Sequence, residues 1–302
     1  MDGKNLLRLV EKLMNEPAHA SSQLLDERTT YDFFYEAAKQ WVIETKCLTA
    51  EQEITTVADQ AAYTLNGDFL QLYLKHDDEF YIKLYDTSSY YFLTFKSYED
   101  VYYDNDTTST AIPSYFTLTD DRTLDTIISD TADNAADDIG GKTVLTMNTD
   151  VFTDVSPGDI IHNTTDASDG PVVKWTSAKI IEICLFGGTD NEIDSADAFI
   201  IQPRGRMKIQ LDPPPSTAGY TLYVPYIQKP NPVYSDYDVY RIFIDYPDAA
   251  AQYVAWKYKY LDDEPNYGDA WYKYWRKCMT EYAALSARTM GKNTSRIYPR
   301  IK

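Results

Sequence analysis

The spacing of apolar residues changes twice along the 302-residue chain, and this change limits the possible folds more than any other feature. Near the start, Leu6, Val10 and Leu13 lie three or four residues apart, which is the spacing of an amphipathic helix. A second helix is predicted from about Thr30, a suitable N-cap, to about Lys46. In the middle of the chain the apolar residues instead form short runs of aromatic and β-branched side chains, which are typical of strands.

Helical spacing returns near the C-terminus. Pro247 suits the first turn of a helix, and the positive end of the helix dipole favours a carboxylate such as that of Asp248. Farther along, an apolar stripe repeats at intervals of four and three residues and consists of Trp271, Trp275, Cys278, Tyr282 and Leu285. We expect this stripe to be core that packs on the preceding helix.

These patterns predict an α+β fold. In it, N- and C-terminal helices form a helical bundle, and a β domain between them carries an inserted small β-barrel or sandwich module. The predicted boundaries are 1–50 and 245–287 for the bundle, 51–122 and 202–244 for the β domain, 123–201 for the inserted acidic module and 288–302 for a basic C-terminal arm. Strands of the module are predicted at 143–147, 159–162, 172–175, 180–185 and 198–201, after a flexible loop at 131–141.

The net charge of −19 is concentrated in one third of the chain. Residues 104–200 contain 19 acidic and 4 basic residues, a net charge of −15. Such a chain is a poor ligand for phosphate backbones and for anionic membrane surfaces. The Asp-rich stretches 133–138 and 190–197 do not match the calcium loop of EF-hands, so a solvated acidic face is the preferred interpretation.

No motif predicts catalysis. The sequence contains no GxSxG, P-loop, GxGxxG or HExxH pattern, and its three cysteines and three histidines have no metal-binding or redox spacing. We therefore predict no catalytic residue, no metal and no cofactor. The N-terminus does not resemble a signal peptide, and no stretch approaches the roughly 20 apolar residues of a membrane span.

The chain has 27 tyrosines, many of them clustered in strand-like segments such as 81–85 and 90–91. Tyrosine stacks on sugars and bases, and it is also enriched at protein interfaces. Because an acidic chain repels nucleic acid, protein interfaces are the favoured interpretation.

The last residues of the chain form a basic segment, since no acidic residue follows Glu281. Gly291 and Pro299 argue against one continuous helix there. The alternatives are a frayed tail and an extended arm that docks on an acidic partner. The predicted contact residues of such an arm are Arg288, Lys292, Arg296, Ile297, Tyr298, Arg300 and Lys302.

The order of several motifs resembles that of the portal-proximal head-to-tail adaptor (connector) proteins of tailed bacteriophages. Residues 55–72, TTVADQAAYTLNGDFLQL, are similar to a T-x-x-x-Q-x-x-Y-x-L-P-x-D-F hairpin that follows the second helix in that family. The matching residues are Gln60, Tyr63, Leu65, Asp68 and Phe69, and Asn66-Gly67 stands where the family usually has proline. Segments 112–116, 207–214, 220–226 and 151–201 follow in the order of the family's later strands and of a small β module inserted in such proteins.

This resemblance implies a structural virion protein rather than an enzyme. The family assembles as a homo-oligomeric ring of about a dozen copies under the portal protein, extends the DNA channel and offers a docking surface to the tail or the next ring protein. The resemblance also implies portal binding by the seven arm residues, passage of DNA without sequence-specific contacts, no membrane partner, and a location at the portal vertex after synthesis in the host cytoplasm. The alternatives are a carbohydrate- or receptor-binding virion β protein and a glycan-active enzyme.

Overall fold

The structure is a computed structural model that describes residues 3–15, 26–74, 80–100, 110–121, 127–138, 143–203, 205–234, 241–261 and 265–289. The chain divides into two compact units. The terminal unit comprises Met1–Cys47, Ile127–Gln202 and Pro230–Lys302, and the central unit comprises Leu48–Thr126 and Pro203–Lys229.

The described residues are mostly β, with sixteen strands in three sheets. The helices lie toward the two ends of the chain and are α1 (Gly3–Met14), α2 (Glu27–Thr45), α3 (Pro247–Leu261) and α4 (Pro265–Thr289). Helix α3 packs against the other three, yet the described residues show no separate helical bundle, so the predicted α+β fold with a terminal bundle is wrong. The physical reason is that helical spacing shows which face is buried but not what buries it.

Helix α2 begins one turn earlier than predicted. The N-cap is Asp26, whose carboxylate accepts a hydrogen bond from the Thr29 backbone N–H at 2.9 Å. Thr30 instead lies inside the helix, and its buried hydroxyl bonds the Tyr258 hydroxyl at 2.7 Å. The helix ends with Lys46 in the left-handed conformation, as predicted to within a residue.

An aromatic cluster joins the helices. The Trp41 ring of α2 lies 5.0 Å from the Trp275 ring of α4, and other rings surround it at similar distances, namely Phe243, Tyr246 and Tyr282. The predicted stripe on α4 is core at Trp275 and Cys278, which are buried. It leaves the core before the helix ends, because Leu285 is 54% exposed.

The acidic segment forms one seven-stranded sheet within the terminal unit. The strands are β8 (Ile128–Thr131), β9 (Asp137–Asp138), β10 (Thr143–Thr146), β11 (Ile160–Asn163), β12 (Ser168–Ser177), β13 (Ile180–Ile183) and β14 (Ala198–Gln202). Their order is β8-β14-β11-β12-β13-β10-β9. Five of these strands match predicted ones, whereas β9 falls in the predicted loop.

The seven-stranded sheet bends at its longest strand. Ser168–Pro171 of β12 pair with β11, whereas Val172–Ser177 pair with β13 through two register shifts. The bend wraps the sheet into a half-barrel around a core that includes Phe152, Ile183 and Phe199. The closed barrel or two-sheet sandwich expected for this segment is therefore replaced by one bent sheet.

The central unit contains two sheets that share one core. Five strands form the first sheet: β1 (Thr49–Thr55), β3 (Phe69–Leu72), β4 (Lys83–Tyr85), β5 (Tyr90–Phe92) and β16 (Thr221–Gln228). Their order is β1-β16-β4-β5, and β3 also pairs with β16. Four strands form the other, with the order β2-β15-β7-β6; they are β2 (Ala62–Thr64), β6 (Thr94–Phe95), β7 (Tyr115–Asp121) and β15 (Arg206–Asp212). Leu84, Leu222 and Val224 of the first sheet and Ile209 and Leu211 of the second belong to the same buried cluster.

Candidate interaction surface

Of the seven residues predicted to bind a portal protein, only the backbone of Arg288 is described, in the last turn of α4. Its side chain lies outside the described residues. So do Lys292, Arg296, Ile297, Tyr298, Arg300 and Lys302. Portal binding by this segment therefore stays a prediction.

The described residues place a group of aromatic side chains on one face of the five-stranded sheet. Side chains alternate along each strand, and the residues between these aromatic ones, such as Ile82, Leu84 and Leu222, are buried in the core. The opposite face, called the aromatic surface below, carries Tyr81, Lys83, Tyr85, Tyr90, Phe92 and Tyr223. Tyr81, Tyr90 and Phe92 are 42%, 56% and 59% exposed.

Strand register brings these side chains into direct contact. Lys83 lies opposite both Phe92 and Tyr223, and Tyr85 lies opposite Tyr90. The centroids of the Tyr85 and Tyr90 rings are 4.7 Å apart, and those of Tyr81 and Phe92 are 5.2 Å apart. The surface is thus a continuous aromatic layer rather than scattered rings.

A lysine holds a positive charge in the middle of this layer. The Lys83 ammonium lies 4.4 Å from the centre of the Tyr223 ring and 5.4 Å from that of Tyr90. Each such cation–π contact contributes about 0.5–1 kcal/mol at an exposed site. On the other side of Tyr223, the neighbouring strand β1 places Glu53 opposite this tyrosine. The pKa of the Tyr223 hydroxyl is raised, chiefly by burial and secondly by the charge of Glu53.

The turn between β4 and β5 is fixed by one carboxylate. Asp86 accepts hydrogen bonds from the backbone N–H groups of Ser88 and Ser89, at 2.9 and 2.7 Å, and from the Tyr91 hydroxyl at 2.9 Å. These donors, the Ser89 N–H foremost, lower the pKa of Asp86 to about 2. The turn includes Thr87 at a φ of 77°, so the carboxylate compensates for an unfavourable backbone conformation.

Several acidic residues of the seven-stranded sheet form hydrogen bonds within their own loops. Buried Asn163 donates to the carboxylates of Asp166 and Asp197 at 3.0 and 3.1 Å and to the Glu192 carbonyl at 3.1 Å. The Asp197 carboxylate also accepts from the Asp194 N–H at 2.8 Å. Within the described ranges, no group of histidine, cysteine and acidic side chains could hold a metal ion.

The aromatic surface suits binding rather than reaction. It combines exposed rings with one cation, and none of its members is a nucleophile paired with a base. The sequence indicated the tyrosine clusters but missed the roles of Lys83 and Phe92. Alternation at 81, 83 and 85 and at 90 and 92 is the signal that would have placed them on one face.

Comparison with known proteins adds no assignment. No protein-family model matches the chain, and no curated protein matches it either. Among the residues that the structure describes, no helix is both long enough and apolar enough to cross a membrane.

Proposed function

We propose that this chain is a structural virion protein of a tailed bacteriophage, a head-to-tail adaptor that assembles as a ring under the portal. The observation that carries the proposal is the aromatic surface of the central unit. Contiguous exposed aromatic area of this kind is typical of protein interfaces. Phe95, Tyr98 and Tyr115 of the same unit add further exposed rings, at 45%, 53% and 38%.

The mechanism of such a protein is assembly. A ring of subunits extends the DNA channel and offers its lower surface to the tail or to the next ring protein. The net charge of −19 suits a channel through which DNA passes without adhering or being recognised by sequence. This function places the protein in the virion, at the portal vertex, after synthesis in the host cytoplasm.

The basic C-terminal segment is the proposed portal ligand. Residues 290–302 contain Lys292, Arg296, Arg300 and Lys302 and no acidic residue, and Ile297 and Tyr298 supply apolar contacts. The positive charge of this segment would favour an acidic surface on the portal and offset the repulsion between that surface and the acidic remainder of the chain.

The test is capture by purified portal rings of the phage that encodes this chain. We expect the full chain to co-sediment with the rings and to add a layer to them in electron micrographs. A chain that lacks residues 290–302 keeps all of α4 and should fold but not bind. A matched control has glutamine at Lys292, Arg296, Arg300 and Lys302, which keeps the length and removes the charge, and it should bind weakly. Failure of the full chain to bind portal rings would overturn the proposed function.

A carbohydrate- or receptor-binding virion protein is the second candidate, because exposed rings such as Tyr81 and Phe92 can also stack on sugars. Residues 127–202, the acidic sheet, contain no tyrosine, so the central unit would be the ligand-binding part. Saturable binding of the full chain to host-cell glycans, lost on Phe92→Ala, would support this candidate.

A further inference from the structure

The path β1-β16-β4-β5 of the five-stranded sheet ends at two strands whose outer edges no described strand covers. At one end, β1 pairs with β16 alone. Gln228 donates to the Leu48 carbonyl and Thr56 donates to the Tyr220 carbonyl, at 3.1 and 2.8 Å. Because hydrogen-bonding direction alternates along an antiparallel strand, the backbone groups of Glu51 and Glu53 point away from β16.

The other edge is β5, which pairs with β4 alone in the described structure. The Asp86 N–H donates to the Ser89 carbonyl, and the Leu93 N–H donates to the Ile82 carbonyl, at 3.1 and 3.0 Å. The same alternation directs the backbone groups of Tyr90 and Phe92 outward. Uncovered outward groups of this kind are templates for pairing with another strand.

The two edges are chemically complementary. Glu51 and Glu53 make the β1 edge acidic, whereas the β5 edge has two exposed aromatic rings and the ammonium of Lys83 one strand behind them. All of these side chains lie on the same face of the sheet. A second copy of the chain would therefore bring carboxylates next to aromatic rings and within reach of a lysine.

We propose that β1 of one copy pairs with β5 of the next, so that the five-stranded sheet continues from subunit to subunit. The path β1-β16-β4-β5 has four strands that alternate in direction, so β5 runs opposite to β1. The β1 strand of the next copy, in the same orientation as the first, is therefore antiparallel to β5 and continues the alternation. The contact joins two different patches of the same chain, which is the heterologous type of interface that closes into rings.

Distances favour this arrangement over pairing of like edges. Adjacent strands lie about 4.8 Å apart, so Lys83 lies about 10 Å from the backbone of the incoming β1, a span that lysine and glutamate side chains bridge together. Pairing of β1 with β1 would bring Glu51 and Glu53 against their own copies. Pairing of β5 with β5 would bring together two strands of only three residues and add no carboxylate of the second copy near Lys83.

This inference rests on the proposed ring function, and cysteine cross-linking tests it separately. In a full chain with Cys47→Ser, we introduce Glu51→Cys together with Phe92→Cys, and Glu53→Cys with Phe92→Cys for the neighbouring register. Within one subunit the two positions are three strand spacings apart, about 14 Å, so no internal disulfide can form. Oxidation should give a ladder of multimers on a non-reducing gel, whereas each single cysteine should remain monomeric.

Charge exchange provides the second measurement. We expect Lys83→Glu and the double variant Glu51→Lys/Glu53→Lys each to weaken self-association about tenfold in sedimentation. A mixture of the two variants should restore assembly. The β1 edge of the double variant then meets the β5 edge of the Lys83→Glu variant, and the charges of these two edges are again opposite. Glu53→Pro removes an outward N–H without removing a bond to β16, so it should also block assembly while the chain stays folded.

The outcomes separate the two proposals. Portal rings that bind the chain without any 51–92 or 53–92 cross-link would overturn the edge pairing and leave the adaptor function intact. Cross-linked multimers that never bind portal rings would overturn the adaptor function and leave the edge pairing intact. Disulfide dimers from Phe92→Cys alone, or glycan-dependent association, would also overturn the edge pairing.

Discussion

Arg28 of α2 donates a hydrogen bond to the Asp169 carboxylate of β12 across 2.8 Å, which connects a helix from the start of the chain to the bent acidic sheet. The guanidinium also lies 5.2 Å from the centre of the Phe186 ring. The hydrogen bond raises the pKa of Arg28 and lowers that of Asp169. This pair shows how the helices and the acidic sheet belong to one unit.

The first prediction is that Arg28 and Asp169 are energetically coupled. In a double-mutant cycle with Arg28→Gln and Asp169→Asn, we expect a coupling free energy of about 0.5–1 kcal/mol from urea unfolding, since both side chains are partly exposed to solvent. The coupling should shrink in high salt. Additive effects of the two substitutions would contradict it.

The same pair sets a pH dependence. Because the pKa of Asp169 is lower in the folded state than its unfolded value of about 3.9, its stabilisation is present above that pH and is lost as the pH falls through the folded pKa. Asp169→Asn should therefore reduce the loss of stability in acid. Arg28 stays charged throughout this range.

The error in the predicted fold has a specific cause. Helical spacing correctly placed α1, α3 and the buried side of α4 around Trp275, because such spacing depends only on local sequence. The contacts between α2 and the acidic sheet join residues that are far apart in the chain. One link is Tyr234, in a connecting segment: its hydroxyl donates a hydrogen bond to Asp32 of α2, and its ring packs on Phe186. No local pattern contains that information, so an insert that looked separate in sequence is packed against the helices.

The second prediction concerns the turn between β4 and β5. Asp86→Ala removes the acceptor of the Ser88 and Ser89 N–H groups and should lower the urea midpoint and speed hydrogen exchange in β5. Asp86→Asn keeps an acceptor oxygen and is the matched control, with a smaller effect. Equal behaviour of the two variants would contradict this role.

Acid should weaken the same turn. The pKa of Asp86, lowered to about 2, lies below its unfolded value of about 3.9, so its stabilisation holds above pH 4 and is lost as the pH falls toward 2. Hydrogen exchange of Ser88 and Ser89 measured against pH checks this, and in Asp86→Asn the transition should vanish.

The site could be predicted only in part. The tyrosine clusters were visible in the sequence, and so was their preference for protein interfaces. Their common face was visible only within the β4–β5 hairpin, where alternation relates 81, 83 and 85 to 90 and 92. The position of Tyr223 beside Lys83 could not be predicted, because it depends on the pairing of strands about 140 residues apart. The acidic β1 edge was missed as well, because Glu51 and Glu53 lie in a segment without the aromatic and β-branched runs that mark strands.

The third prediction concerns Tyr226, a buried residue of β16. Its hydroxyl donates to Asp68 at 2.8 Å and accepts from the Asn66 amide at 3.2 Å. Tyr226→Phe should lower the free energy of unfolding by about 1–2 kcal/mol, because Asn66 and Asp68 each lose a partly buried hydrogen bond. Tyr90→Phe, which removes an exposed hydroxyl, is the control and should leave the urea midpoint unchanged.

Tyr226 should also shape stability in alkali. Burial, more than the charge of Asp68, raises its pKa to about 12, above the unfolded value of about 10. The stabilisation is therefore fully present below pH 10 and is lost as the pH rises toward 12. Tyr226→Phe should flatten this part of the curve, as measured by urea unfolding at a series of alkaline pH values. An unchanged curve would contradict the assignment.

The last prediction concerns Gly170, at the bend of β12. A Cβ added there would lie 1.7 Å from the carbonyl oxygen of Cys184, which is backbone and cannot rotate away. Gly170→Ala should therefore lower the free energy of unfolding by about 3 kcal/mol or more, since the two strands must separate to admit a methyl group. Gly187→Ala is the matched control, because Gly187 has a φ of 74° and nothing within 4 Å of the added Cβ. That variant bears only backbone strain, about 1–2 kcal/mol. Urea unfolding of both variants tests the close approach of β12 and β13, and equal stability of the two would contradict it.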